Sequence, residues 1–263
     1  MNSGNRKLLY VMVVAVVAAA GLVMYYEWRE EQDIAALLAE HEMVEGPIVY
    51  EPPIEDEFYE LEPEPEPIEL TEPEPRVVRT EFAELREYYD NYDIVGRLKI
   101  LGTAIDYLVV QAADNEFYLH RDIHGNASSA GSIFLDYDVD LARDDQNTVI
   151  YGHNMNANIK FHSLRRYVNY DFFGNHSIIT FNTIYEDTKW EVFAFYVAHI
   201  SFPYTHINYA NEAQWAYMLG RFQQASMHPT DIVLTPEDRI LTLSTCTNVN
   251  QDERFVLQAR LVR

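Results

Sequence analysis

The sequence predicts a mainly β domain, closed or nearly closed into a barrel and carrying added helices, behind an apolar helix and an acidic proline-rich linker. Three observations carry that prediction. After residue 94, eight short runs rich in β-branched and aromatic residues are punctuated by turn residues, the pattern of a barrel rather than of a doubly wound sheet. Residues 8–26 carry no charge at all, and between residues 51 and 75 proline and acidic residues displace almost everything else.

The apolar segment comes first. Leu8 to Tyr26 is 19 residues long, preceded by Arg6 and Lys7 and followed by Glu27, Arg29, Glu30 and Glu31. At ~1.5 Å per helical residue it spans roughly 28 Å, close to the hydrocarbon thickness of a bilayer. The basic flank belongs on the cytoplasmic side, so the rest of the chain is expected outside the cell membrane. A cleaved signal peptide is the competing assignment, because Ala18, Ala19 and Ala20 offer small residues. A usual signal has an apolar region of only ~7–15 residues, and no Pro or Gly break precedes these alanines, which favours an uncleaved single-pass anchor.

Residues 32–45 can extend that helix briefly. From Glu51 to Pro75 the chain then holds 7 Pro and 11 acidic residues among 25. Proline lacks the N–H that a helix or ladder needs, and like charges favour extension, so this stretch reads as a spacer. In polyproline II form, at ~3.1 Å per residue, it reaches on the order of 75 Å. The expected organisation is residues 1–7 cytoplasmic, 8–26 transmembrane, 27–75 juxtamembrane segment and linker, and 76–263 the folded catalytic domain.

Within that domain, Thr80 to Tyr89 reads as a short helix with Thr80 as N-cap and Phe82, Leu85 and Tyr89 on one face. Strands are expected at Val95–Ile100, Tyr107–Gln111, Ser132–Leu135, Thr148–Tyr151, Ser177–Asn182, Thr188–Ile200, Ile240–Cys246 and Arg254–Val262. Two helices interrupt them, at Ile159–Tyr167 and, with Trp215, Met218, Leu219 and Phe222 at helical spacing, at Asn211–Met227.

Charge and cysteine usage exclude whole classes of function. Across 263 residues, 19 Lys and Arg stand against 42 Asp and Glu, a net charge of −23, which argues against a nucleic-acid partner. The single cysteine, Cys246, rules out an intramolecular disulfide, a dithiol redox centre and a multi-cysteine metal site. His120 and His124 alone make no metal-ligand set, and no cofactor is implied.

Three residues combine into chemistry. Cys246 ends the strand RILTLSTC, where alternation puts Leu241, Leu243 and Thr245 on a core face and Thr242, Ser244 and Cys246 on a more polar one. His153 ends the segment TVIYGHNM, in which Gly152 lets the chain pass close to a neighbour. Arg254 opens the last strand, and antiparallel pairing with the cysteine strand brings it near Cys246, where it can donate to a developing oxyanion. Arg260 is the fallback for this role. Ser244 and Thr245 are candidates for binding substrate and shaping the site, and Asn154 and Tyr151 for orienting His153 or contacting substrate.

TLSTC with Cys246, YGHNM with His153, and the following Arg254 resemble the active-site motifs of sortases, specifically class B. Gly102–Leu119, Ser129–Asp136 and the helix before the cysteine strand are also similar, so the resemblance covers roughly residues 80–263. Leu101 and Leu108 stand where the family often has proline. The resemblance implies an eight-stranded sortase barrel with added helices and a membrane-anchored cysteine transpeptidase of Gram-positive bacteria. In that reading Cys246 attacks after the threonine of a C-terminal sorting motif on a secreted protein, forming a thioester acyl-enzyme. His153 protonates the leaving amine, Arg254 steadies the oxyanion, and a peptidoglycan precursor or crossbridge amine resolves the intermediate. Residues 201–238 form a groove wall that sets motif preference. A thiol hydrolase, a pilin-polymerising sortase and a non-catalytic tethered binding domain are the alternatives.

Overall fold

The computed structural model describes residues 3–41, 43–44, 76–155, 159–247 and 250–262, in two compact units. The linker expected at residues 51–75 lies outside the described residues. The first unit is dominated by one helix, α1 (Ser3–Ala39), which takes in the whole uncharged run and continues beyond it. Among the described residues no helix is long and apolar enough to cross a membrane. The side chains of residues 3–11 and 14, which include much of the expected anchor, lie outside the described set. The transmembrane assignment is therefore not supported by the structure.

The second unit is built on eight strands: β1 (Ile94–Ile100), β2 (Asp106–Val110), β3 (Ile133–Leu135), β4 (Asn147–Tyr151), β7 (Ile178–Thr183), β8 (Asp187–His199), β9 (Ile240–Cys246) and β10 (Glu253–Leu261). They close into a barrel in the order β1-β2-β3-β4-β9-β10-β8-β7, the mainly β architecture expected. Closure removes every free edge and leaves each strand paired on both sides. The β2–β3 and β4–β9 pairs are parallel and the others antiparallel. A Cβ at Gly96 would meet Asn182 O at 2.7 Å, so only glycine lets β1 approach β7 there, beside the point where β1 shifts register against β2.

Two apolar bodies pack against this barrel. Helix α2 (Thr80–Tyr89) buries Phe82 with Ile94, Val110, Tyr118, Phe134 and Ile184. Its N-cap is Arg79 rather than the expected Thr80, which is already helical; the Arg79 guanidinium instead forks onto Asp187 at 2.8 and 3.0 Å. The later helix (Glu212–Ala225), called α4, starts where Asn211 Oδ1 accepts the Gln214 N–H at 2.9 Å. Trp215, Met218, Leu219 and Phe222 bury themselves against Ala194, Tyr196, Ala198, Ile240 and Val256, the outer face of β8, β9 and β10.

The helix expected at Ile159–Tyr167 is corrected. Ile159–Lys160 form a two-residue strand, β6, that pairs with Asn154–Met155, β5, before a 3-10 helix at His162–Val168. Phe161 N–H donates to His153 O at 2.9 Å, so a tertiary bond holds the segment off the helical path. A short helix, α3 (Tyr170–Asn175), capped by Asn169, follows it.

Candidate active site

Register alone brings the three chemical residues together. In the parallel β4–β9 pair Tyr151 stands opposite Ser244, so His153 and Cys246 each lie two residues beyond the same rung, at the same barrel end. On the other flank Arg254 of β10 is paired with Cys246. Strand order β4-β9-β10 thus sets the thiol between the imidazole strand and the guanidinium strand.

Cys246 is half-buried, on the same outer face as Ser244 and Thr242. That face is covered rather than open: Thr242 is fully buried and Ser244 is 3% exposed. The α4 layer lies over it, and its hydroxyls are paired inside. Thr242 Oγ1 donates to Asn147 Oδ1 at 2.7 Å and accepts from Gln258 Nε2 at 3.1 Å, while Ser244 Oγ meets the Tyr204 phenol at 3.0 Å. Only the strand end, with Cys246, emerges from this cover.

His153 Nε2 lies 2.7 Å from the Leu119 carbonyl. A carbonyl only accepts, so Nε2 carries the proton and Nδ1 is the nitrogen left for proton exchange. The ring is seated on Gly131, whose φ of +54° suits glycine and where a Cβ would come within 3.0 Å of His153 Cδ2. Gly152 is equally tight, since a Cβ there would collide with Ile133 Cδ1 and meet Phe161 at 2.9 Å. The close approach expected at Gly152 is thus present.

Arg254 Nη1 donates to Gln251 O at 2.6 Å and to Glu253 O at 2.9 Å. These bonds hold the guanidinium at the mouth of the β9–β10 turn and leave Nε and Nη2 unbonded among the described residues. Arg260, the fallback, pairs with Ile240 at the far end of β9 and is tied to Glu191 at 3.0 Å, so it is not part of this constellation.

The remaining candidates separate. Asn154 reaches the cysteine strand: its Nδ2 donates to the Cys246 carbonyl at 3.0 Å while its Oδ1 meets buried His162 Nδ1 at 2.8 Å. Tyr151 donates instead to Asp136 Oδ2 at 2.8 Å, and burial together with that carboxylate pushes its phenol far above the ordinary tyrosine range. Thr245 pairs with Phe255 on the opposite, interior face, and its buried Oγ1 has no hydrogen-bond partner among the described residues. It is not brought to the cysteine face.

Sequence reasoning missed Tyr204. Its ring lies in the α4-side core, its hydroxyl bonds Ser244, and burial raises its pKa against the opposing Ser244 bond and Arg254 charge, with Cys246 adding to the rise. The only signal was its place in the expected groove wall, 201–238. Among the described residues no group of three His, Cys, Asp or Glu side chains could hold a metal ion.

A strand-end thiol flanked by an imidazole and a guanidinium suits acyl transfer through a cysteine nucleophile. Comparison with known proteins agrees. The sortase domain family model matches residues 98–262. Sortase B of Listeria monocytogenes is 35% identical over 187 residues, covering 70% of this chain and 75% of the relative. Sortase B of Staphylococcus aureus is 32% identical over 188 residues, covering 71% and 76%. A solved Staphylococcus aureus sortase B–substrate complex aligns with a TM-score of 0.67 at 32% identity, covering 71% of this chain and 87% of that one. Sortase B from B. anthracis, in complex with AAEK1, aligns at 0.66 and 29% identity, covering 92% and 99%.

Proposed function

The chain belongs to the sortase family, class B, a family of cysteine transpeptidases, and from that premise we propose that it cleaves a C-terminal sorting motif after threonine and transfers the secreted protein to a peptidoglycan amine. The observation that carries this reading is the shared register of β4, β9 and β10, which sets His153 and Arg254 on either side of Cys246.

The Cys246 thiolate attacks the threonine carbonyl, forming the C–S bond. Negative charge then gathers on the carbonyl oxygen, where the unbonded N–H groups of Arg254 and a backbone N–H near Cys246 stabilise it. As the C–N bond breaks, His153 delivers its Nδ1 proton to the departing amine, its Nε2–H staying on the Leu119 carbonyl. The acceptor amine then attacks the thioester, gives a proton back to Nδ1, and expels the thiolate. The segment 201–238 is assigned to the groove wall, and its Tyr204 hydroxyl braces the buried Ser244 behind the Cys246 strand end.

The same reading keeps the catalytic domain outside the cell on an N-terminal anchor. Its support is the uncharged run Leu8–Tyr26 behind Arg6 and Lys7, within the single helix α1.

The test is intact-mass detection of the full chain incubated with quenched peptides carrying LPxTG-like and NPxTN-like motifs, with and without added amine. The expected result is a thioester adduct and cleaved peptide on the wild type, none on Cys246→Ala, and an amide product once amine is added. Absence of any adduct on folded protein with an alkylatable Cys246 counts against the function, and hydrolysis untouched by amine counts for a thiol hydrolase.

A further inference from the structure

Thiolate attack and proton delivery both need His153 and Cys246 at a fixed separation, and the chain from His153 to His162 holds both. Phe161 N–H donates to His153 O at 2.9 Å and Asn154 pairs with Lys160 in the β5–β6 ladder, so the chain doubles back beside the imidazole. Phe161 is fully buried, packed on Gly152, and its carbonyl accepts the Leu164 N–H at 2.9 Å as the 3-10 helix begins. This return brings His162 against Asn154, eight residues earlier, and both are buried.

Asn154 joins the turn to the cysteine strand. A carbonyl oxygen only accepts, so the side of the Asn154 amide that lies 3.0 Å from Cys246 O is its NH₂ group. Its Oδ1 then faces His162 Nδ1 at 2.8 Å, and because an amide oxygen also only accepts, the proton of that bond sits on His162 Nδ1. That proton selects one of the two orientations of the amide. Flipped end for end, Asn154 would set Oδ1 against the Cys246 oxygen and its NH₂ against the Nδ1 proton, two repulsive contacts in a buried place. His153 has the opposite tautomer, its proton on Nε2 and its Nδ1 left for exchange. One imidazole moves a proton and the other keeps one still.

The restraint reaches the nucleophile through a planar peptide unit. Cys246 O and the Thr247 N–H belong to the same unit; the N–H donates to Glu253 O at 3.3 Å while the carbonyl accepts from Asn154. The unit is thus held from the β10 side and from the β5 side, which fixes the point from which the Cys246 thiol projects.

Resting on the transpeptidase reading above, we propose that His162 is a positioning residue of the acylation step: its Nδ1–H locks the Asn154 amide and, through it, the Cys246 peptide unit at the distance from His153 that acylation requires. It acts through Asn154 rather than on the substrate, so its loss lowers kcat for thioester formation and leaves KM.

The experiment uses the full chain with cysteine 13C-labelled at its carbonyl. Cys246 is the single cysteine, so one resonance reports this bond. His162→Phe keeps a buried ring and removes the donor, and His162→Asn sets an amide NH₂ where Nδ1 stands. In His162→Phe the carbonyl resonance is expected to move upfield, and kcat for thioester formation to fall about tenfold at unchanged KM, with whichever of the LPxTG-like and NPxTN-like peptides acylates the wild type. His162→Asn should keep the resonance and most of kcat. A resonance unmoved in His162→Phe, a moved resonance with wild-type kcat, a loss that falls on KM, or equal damage from both substitutions overturns the role. Should His162→Phe not fold, 15N-histidine labelling of the wild type decides: the imidazole signals missing from His162→Asn must show a proton on Nδ1, and a proton on Nε2 alone overturns the lock. If no thioester forms on the wild type, the transpeptidase reading fails separately. The carbonyl resonance then judges the lock by itself, supporting it if moved in His162→Phe and kept in His162→Asn, and overturning it otherwise.

Discussion

Asn154 holds Cys246 by its backbone, which is a different service from touching substrate. Its amide N–H fixes the Cys246 carbonyl at 3.0 Å and its oxygen meets His162 at 2.8 Å, with Asn154 and His162 each only 8% exposed. Asn154→Ala removes both bonds and leaves buried polar groups without those partners, at a cost of about 1–3 kcal/mol each. The expected outcome is a lowered melting temperature and a kcat for thioester formation reduced about tenfold or more, because the thiol is no longer held in place. Asn154→Asp separates the two bonds: a carboxylate can still accept from His162 but cannot donate to the Cys246 carbonyl. Acylation kinetics of both variants, beside thermal melts, decide the matter. If Asn154→Asp acylates at the wild-type rate, the bond to Cys246 has no positioning role.

At the scale of elements, α4 turns one barrel face into a second core. Phe222 is fully buried there and meets Phe202 edge-to-face, with ring centroids 6.0 Å apart. Phe222→Ala should cost about 3–5 kcal/mol in urea unfolding, and a loss below about 1 kcal/mol would mean that α4 is not anchored on the barrel. This helix was legible in the sequence because Trp215, Met218, Leu219 and Phe222 repeat at helical period, and the eight barrel strands were legible through short apolar runs bounded by turn residues. Their ends fall within two residues of those expected. What could not be read was anything fixed by a partner distant in sequence. The β5–β6 hairpin forms because Phe161 bonds His153, not because two residues of strand are stable alone. The Thr242 and Ser244 face reads as polar, hence open, yet it is buried because Asn147, Gln258 and Tyr204 satisfy its hydroxyls. Cys246, His153 and Arg254 were legible through their strand-end motifs; Asn154 was legible as a candidate but not in its role, and Tyr204 carries no motif at all.

At the scale of the whole molecule the distribution of charge has a consequence. Of the net −23, residues 1–75 contribute −15, made up of +2 before the uncharged run and −17 after it. Cationic residues stay on the cytoplasmic side while an acidic linker has no such preference, so the charge pattern and the apolar run agree on one orientation. On the reading proposed above, the acidic, proline-rich sequence 51–75 is the spacer that keeps the catalytic domain within reach of a secreted substrate and a wall amine. In Gram-positive cells, the full chain with a C-terminal tag is expected in the membrane fraction after carbonate extraction, with the tag digested by external protease and the intact mass unprocessed. Val16→Arg with Val17→Arg places two charges near the helix centre, each costing about 2.5–3.5 kcal/mol on insertion scales, and should move the chain out of the membrane fraction. A mature mass shortened after Ala20 makes the segment a cleaved signal, in which case the acidic stretch can only be a tail. Carbonate-soluble protein of full mass removes the anchor, and with it the argument that the linker is a spacer.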